Sequence, residues 1–297
     1  MNRRTFLETS VAAAALATLP GIPRSWAAGE MHKIDPIGVQ LYTVRTFMEK
    51  DFEATITKVA GVGYKELEFA GYFNHSPKEI RTLLDKLGVS APSCHVSYEV
   101  VEKKWKEQIE AAHVIGHKYI VCPWIEEAQR KAPGGWSKAA ELFNKAGEES
   151  AKAGVQFAYH NHTFEFQPAA TLGGKLPFDY FLTALDKKNV QFELDLCWIT
   201  VAGKDPIEYF NNNPGRFPMV HVKDMKRLPQ GAEGPTATPD KEMPNMTEVG
   251  SGVIDWKHIF ANMGKGGVKY FFVEHDTPAK PMESIEKSYS YLHDLRF

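Results

Sequence analysis

The chain has 297 residues, a formal net charge of −2 and 43% apolar residues, which suits one large domain or two small ones with ample core. The near-neutral charge argues against a broad nucleic-acid surface. Cys94, Cys122 and Cys197 lie in or beside apolar runs and read as buried thiols, without the spacing of a zinc knuckle or a disulfide framework.

Residues 1–30 differ in character from the rest of the chain. Arg3-Arg4 precedes Phe6-Leu7, the apolar run VAAAALATLPG and the small residues of SWAAG. A charged start, a short apolar run and small residues near Ala27 predict an export signal. The paired arginines resemble the twin-arginine type that carries folded proteins, which implies export machinery and a periplasmic location. Glu8 stands where that signal type often has lysine. The apolar run is too short for a comfortable membrane span, and no later run is longer, so stable membrane insertion is not expected.

From Ile34 onward short apolar runs alternate with longer amphipathic ones. IGVQL, KELEFA, VSAPSCH, KYIVCP, VQFAYHNH, VQFELD, MVHVKD and YFFVEHD read as strands. Between and after them come the helical stretches DFEATITKVAGVG, PKEIRTLLDKLG, VEKKWKEQIEAAHVIG, WSKAAELFNKAGEESAKAG, PFDYFLTALD, DPIEYFNNN, IDWKHIFANMG and PMESIEKSYSYLHDL. The second starts on proline and stops at Gly88, and the fourth ends at Gly154. Short strands that are apolar on both faces imply a parallel sheet covered by helices. Eight strand-plus-helix units over residues 31–297 predict a single α/β domain, a closed (β/α)8 TIM barrel. An open doubly wound sheet would want a glycine-rich turn after the first strand, but YTVRTFMEK succeeds IGVQL.

Two stretches break the rhythm: EAQRKAPGGW after the fourth strand and KRLPQGAEGPTATPDKEMPNMTEVGSG after the seventh. Loops that extend from the C-terminal ends of barrel strands lie on the catalytic face, so both are candidate lids.

The chemistry-bearing residues gather at strand ends. Glu165, Asp195, His221 and Glu274 lie at or just past the ends of the last four strands, and a barrel brings such positions to one mouth. Glu193 and Asp195 share a face of one strand, with Asp195 nearer the mouth; Asp224 is expected to face elsewhere. Glu274 ends so apolar a run that its charge must reach solvent, a cation or a metal. Carboxylates with one imidazole suit a divalent ion, Mn²⁺ first, with Zn²⁺, Mg²⁺ or Co²⁺ as alternatives. His160 and His162, two apart, can face one side and bind metal or move protons. Either Glu165 or one of these histidines supplies the fifth-strand ligand; in the second case Glu165 becomes a hydrogen-bond acceptor behind it. Glu68, His95, Trp124, Lys223 and Trp198 also lie at or just past strand ends and are candidate substrate contacts. Glu68 and His95 would hold hydroxyls, Lys223 an enolate oxygen, carboxylate or phosphate, and the indoles a sugar face. His113 and His117, four apart at a helix end, form at most a weak surface pair.

Several motifs together resemble the sugar phosphate isomerase/epimerase superfamily of xylose-isomerase-like barrels: GVQLYTVR, ELEF, YHNHTFEF, ELDLCW, HVKD, VGSGVIDW and VEHD, in that order. The resemblance implies one divalent metal held by Glu165, Asp195, His221 and Glu274. It implies a sugar substrate and abstraction of a proton alpha to a carbonyl through an enediolate, with Glu165, Glu274, His160 and His162 as candidate acids and bases. At the fifth strand the epimerases place glutamate close to the strand end, whereas this chain reads His160-Asn161-His162. That departure looks more like the inosose-dehydratase and 3-keto-glycoside-processing branches. Isomerisation or epimerisation of a ketose is therefore the first expectation and β-elimination by a lyase or dehydratase the second. A non-catalytic sugar-binding barrel is the third. DNA repair of the endonuclease IV type is not expected, since that needs more histidines and basic loops. Barrels of this kind often pair, so a homo-oligomer is also an expectation.

Overall fold

The computed structural model describes residues 32–230, 234 and 236–297. The expected export signal lies outside them. Eight parallel strands close into the expected barrel: Gly38–Gln40, Glu66–Ala70, Ser90–His95, Tyr119–Cys122, Gln156–His160, Val190–Asp195, Met219–Val222 and Tyr270–Val273. The ring closes where Gly38 pairs with Phe272, so the open-sheet alternative is excluded. Eight helices cover it, Phe52–Val62, Pro77–Leu87, Trp105–Ile115, Gly135–Lys152, Pro177–Ala184, Pro206–Asn212, Trp256–Asn262 and Pro281–Asp294. Among the described residues no helix is long and apolar enough to cross a membrane.

Local sequence explains where these elements start and stop. Ser76 and Glu79 form a reciprocal capping box, Pro77 takes the first helical position, and Gly88 adopts a left-handed φ of 63° that ends the helix. Asp51, Asp205 and Asp255 cap three further helices by accepting backbone N–H bonds.

Strand alternation divides the interior into two layers. Outward-facing Phe157, Tyr159, Phe192, Leu194, Val220 and Val222 pack between strands and helices in the main core. Inward-facing Tyr119, Val121, Ala158, Met219 and Phe272 form a separate apolar plug inside the barrel. Two residues further along the same faces stand His160, His221 and Glu274, so the polar ring sits on top of this plug. Gly38 belongs to the plug level: a Cβ there would press into the Phe272 ring at 2.7 Å.

The loop after the seventh strand is less irregular than its composition suggests. Asp224–Met225 pairs antiparallel with Met246–Thr247, and Pro239–Glu242 forms one helical turn. Asp224 faces away from the mouth, as its position after His221 predicts. Its carboxylate accepts from the N–H groups of Gly250, Gly252 and Ile254 and from Trp256 Nε1, at 2.9 to 3.3 Å. A side chain at Gly252 would collide with that carboxylate.

Candidate active site

The polar ring consists of residues from six strands or strand ends. Asp195 and His221 are paired neighbours in register, as are His160 and Glu193. His221 is fully buried and uses both ring nitrogens. Nδ1 meets Glu274 Oε2 at 2.8 Å, and Nε2 meets Glu68 Oε2 at 2.6 Å and Glu193 Oε2 at 3.1 Å. Glu193 Oε2 also receives His95 Nε2 at 2.6 Å and His160 Nδ1 at 3.1 Å. The other nitrogen of His160 looks toward Asp195 Oδ2 at 3.8 Å. Gln40 Nε2 donates to Glu68, its register neighbour on the adjacent strand, at 2.8 Å. Nearer the opening, the ammonium of Lys223 touches Asp195 Oδ2 at 3.1 Å, Glu274 Oε2 at 2.7 Å and Asp276 Oδ1 at 2.9 Å.

Charge in this ring is decided by competition between burial and neighbours. Burial opposes charge on His221, but Glu193, Glu68 and Glu274 outweigh it and hold the imidazole well above its ordinary range. Burial likewise opposes charge on His95, but Glu68 and Glu193 raise it to about 9. Lys223 is held above its ordinary range by Asp195, Asp276 and Glu274 despite its burial. Glu274 goes the other way: burial would raise it, but Lys223 and His221 hold it well below the usual carboxylate range. Asp276 is pushed up to about 6 by burial. His160 and His162 are pushed down by burial, helped by neighbouring positive charge, and stay neutral imidazoles.

The ligand atoms of Asp195, His221 and Glu274 lie within 4.8 Å of one another, and so do those of His95, His160, Glu193 and His221. These residues fit a divalent ion on two grounds. The first set offers two carboxylates and an imidazole on the mouth side. Behind them, Glu193 holds the inner nitrogen of His160 while Glu68 holds that of His221, the arrangement by which acceptors orient metal-ligating imidazoles. In addition, the buried oxygens Glu68 Oε1 and Glu193 Oε1 accept no hydrogen bond among the described residues.

The structure places Glu165 apart from the ring, so that of the two fifth-strand alternatives only the histidine lies within it. Glu165 is fully buried, but its carboxylate lies in the barrel wall, accepting from Tyr159 Oη at 2.6 Å and from the backbone N–H of His162 at 2.9 Å. Tyr159 faces outward from its strand, so Glu165 is engaged on the side away from the ring, and burial pushes its carboxyl up to about 7. Glu165 therefore joins neither group of possible ligands. The fifth-strand residue that does is His160.

The expected substrate contacts divide by depth. Glu68 and Trp198 are fully buried, and His95 keeps 11% of its side chain exposed. Trp198 lies beneath Lys223, whose ammonium is 5.6 Å from the ring centroid. Trp124 is half-buried and meets the His162 ring edge-on at 4.8 Å. His162 is itself half-buried, and its buried Nδ1 has no hydrogen-bond partner among the described residues. Lys223 shares the side of His221 as expected. His117, by contrast, is buried and bonded to the Ala91 carbonyl at 2.6 Å, while His113 is exposed, so the two make no surface pair. Sequence reasoning gave no role to two central residues, Glu193 and Asp276. Each is two residues from a predicted ligand on the same strand face, and that period was the available signal.

A closed parallel barrel with a mixed imidazole and carboxylate ring at the C-terminal mouth defines an enzyme-bearing class of fold. The chain belongs to the xylose isomerase-like TIM barrel family, whose model matches residues 56–295. It is similar to an inosose dehydratase of Geobacillus thermodenitrificans, 23% identical over 83% of this chain and 90% of that protein. An inosose dehydratase of Klebsiella pneumoniae is 22% identical over the same shares. Among solved structures, a sugar phosphate isomerase/epimerase from Parabacteroides distasonis is 25% identical with a TM-score of 0.70, covering 91% of this chain and 97% of its own. These relatives are isomerase-, epimerase- and lyase-like sugar-processing enzymes.

Proposed function

We propose that the chain is a divalent-metal-dependent lyase that removes a proton alpha to the carbonyl of a cyclic keto-sugar or inosose and then expels a β-oxygen. The observation that carries this choice is the position of Glu165. An epimerase working with two carboxylates would need Glu165 opposite Glu274, and it is held in the wall by Tyr159 and His162. The neutral, half-buried imidazole of His162 stands beside His160 and Trp124 instead, and its buried Nδ1 has no hydrogen-bond partner among the described residues.

His160, Asp195, His221 and Glu274 would hold the ion, which supplies a Lewis acid for the substrate's carbonyl and adjacent hydroxyl oxygens. The imidazole of His162 takes the alpha proton as general base. The ammonium of Lys223 donates to the enolate oxygen and offsets its charge in a water-poor site. As the enolate re-forms its carbonyl, the carbon–oxygen bond at the β position breaks, and the imidazolium of His162 returns its proton to the departing oxygen. Trp124 forms a wall on which the apolar face of a sugar ring can rest.

The match to inosose dehydratases over 90% of their length supports elimination, and the likeness to the Parabacteroides isomerase/epimerase keeps one-base isomerisation as the second reading. NMR of inososes, 3-keto-glucosides and ketoses in D₂O separates them. Loss of water or aglycone supports the lyase, whereas deuterium beside the carbonyl on an intact skeleton supports the isomerase. Neither signal with any of them would overturn proton abstraction. We also propose that residues 1–30 direct export of the folded chain. Replacing Arg3 and Arg4 by lysine should retain the protein in the cytoplasm, as read by cell fractionation.

A further inference from the structure

Lys223 is an unusual neighbour for a cation site. Its ammonium lies on three carboxylates at once, and two of them, Asp195 through Oδ2 and Glu274 through Oε2, belong to the residues able to hold a divalent ion. The side chain is 2% exposed, so solvent does little to weaken its field. The third carboxylate, Asp276, belongs to neither possible ligand group, and it meets the ammonium at 2.9 Å. Beneath lies the Trp198 ring, 5.6 Å from the nitrogen. The lysine cannot fold away into solvent; it is seated between the ion's oxygens and Asp276.

We propose that Lys223 is a built-in competitor for the divalent cation, and that Asp276 is the carboxylate that draws it off those oxygens. The inference rests on the proposed role of Asp195 and Glu274 as ion ligands. Two cations that contend for the same two carboxylates repel each other strongly in a poorly solvated site. The ion is then bound more weakly than its donors alone would allow, and it remains exchangeable. Asp276 sets how weakly, because it shares the ammonium.

Direct titration of the purified protein with Mn²⁺ and with Zn²⁺ by isothermal calorimetry, with no substrate present, tests this. Lys223→Met should bind the ion roughly tenfold or more tightly than wild type. The same variant should melt lower in chelator and regain more of its melting temperature on adding the ion. Asp276→Asn should shift affinity the opposite way, toward weaker binding, because the ammonium then presses on Asp195 and Glu274 alone. Unchanged or weaker binding in Lys223→Met overturns the proposal, as does unchanged or tighter binding in Asp276→Asn. If Lys223→Met does not fold, Lys223→Gln keeps much of the volume without the charge, and the Asp276→Asn arm stands by itself. A wild-type chain that takes up no ion sinks the metal reading itself, a result distinct from an ion that binds and ignores Lys223.

Discussion

At the residue scale, a single carboxylate shows how position on a strand decides role. Glu165 and Glu193 are both fully buried, yet one lies in the wall and the other collects three imidazoles at the centre. Glu165, with its carboxyl at about 7 against an ordinary value of 4.5, should leave a signature in stability. Below pH 4.5 it is protonated both folded and unfolded. As pH rises toward 7 the unfolded chain ionises first, so folding loses up to roughly 3 kcal/mol across that window. Glu165→Gln should remove this decline, so the stability difference between wild type and variant, measured by urea unfolding, should change between pH 4.5 and 7 and be flat outside it. A difference flat throughout would mean that burial does not penalise the charge. His162 makes a second case. It is half-buried, and its ring contacts are edge-on to Trp124 and His160 and stacked on Phe164, so His162→Ala should fold with modest loss. It should lower kcat by about 10² to 10⁴ if the imidazole moves the proton. Full activity in that variant would remove His162 from the mechanism.

At the element scale, the segment from Lys226 to Gly252 reads in the sequence as a structureless lid, and in the fold it is anchored at its end. Its composition, rich in proline and glycine, hides the two-residue pairing of Asp224–Met225 with Met246–Thr247, because so short a ribbon carries no periodicity. What anchors it is one buried carboxylate that accepts from the backbone N–H groups of Met225, Gly250, Gly252 and Ile254 and from the Trp256 indole. Asp224→Ala leaves those donors unpaired and should cost about 3 kcal/mol or more. Hydrogen exchange should rise first at Gly250 and Ile254, while the eighth strand, Tyr270–Val273, stays protected. Equal loss of protection across the barrel would show that Asp224 supports the whole fold instead of this loop.

At the scale of the whole molecule, the barrel stacks an apolar plug beneath a polar ring, and the ring collects buried charge that a bound cation would offset. If the ring binds an ion as proposed, a divalent ion should stabilise the whole chain by linkage, by about 2.7 kcal/mol at a hundredfold excess over its dissociation constant. Chelator should lower the melting temperature and restoration of the ion should return it; no shift with Mn²⁺, Zn²⁺, Mg²⁺ or Co²⁺ would argue that no ion binds the native state.

Much of this organisation was legible in the chain order of residues. The alternation of apolar runs with capped amphipathic stretches determines eight strand-plus-helix units, because period 2 and period 3.6 are local properties. The same locality places His160, Asp195, His221, Lys223 and Glu274 at strand ends facing inward. What a linear chain cannot carry is which inward groups meet across the barrel. Glu68 reaches His221 over 153 residues and His95 reaches Glu193 over 98, distances closed only when the first strand pairs with the eighth. Glu165 failed as a ring member for the converse reason. Its sequence position, just past a strand, suits the mouth, but a short 3-10 turn at Phe164–Phe166 swings it back to Tyr159. Local pattern determined the scaffold and the candidate residues; three-dimensional closure decided their partners, their charges and which of them can share a cation.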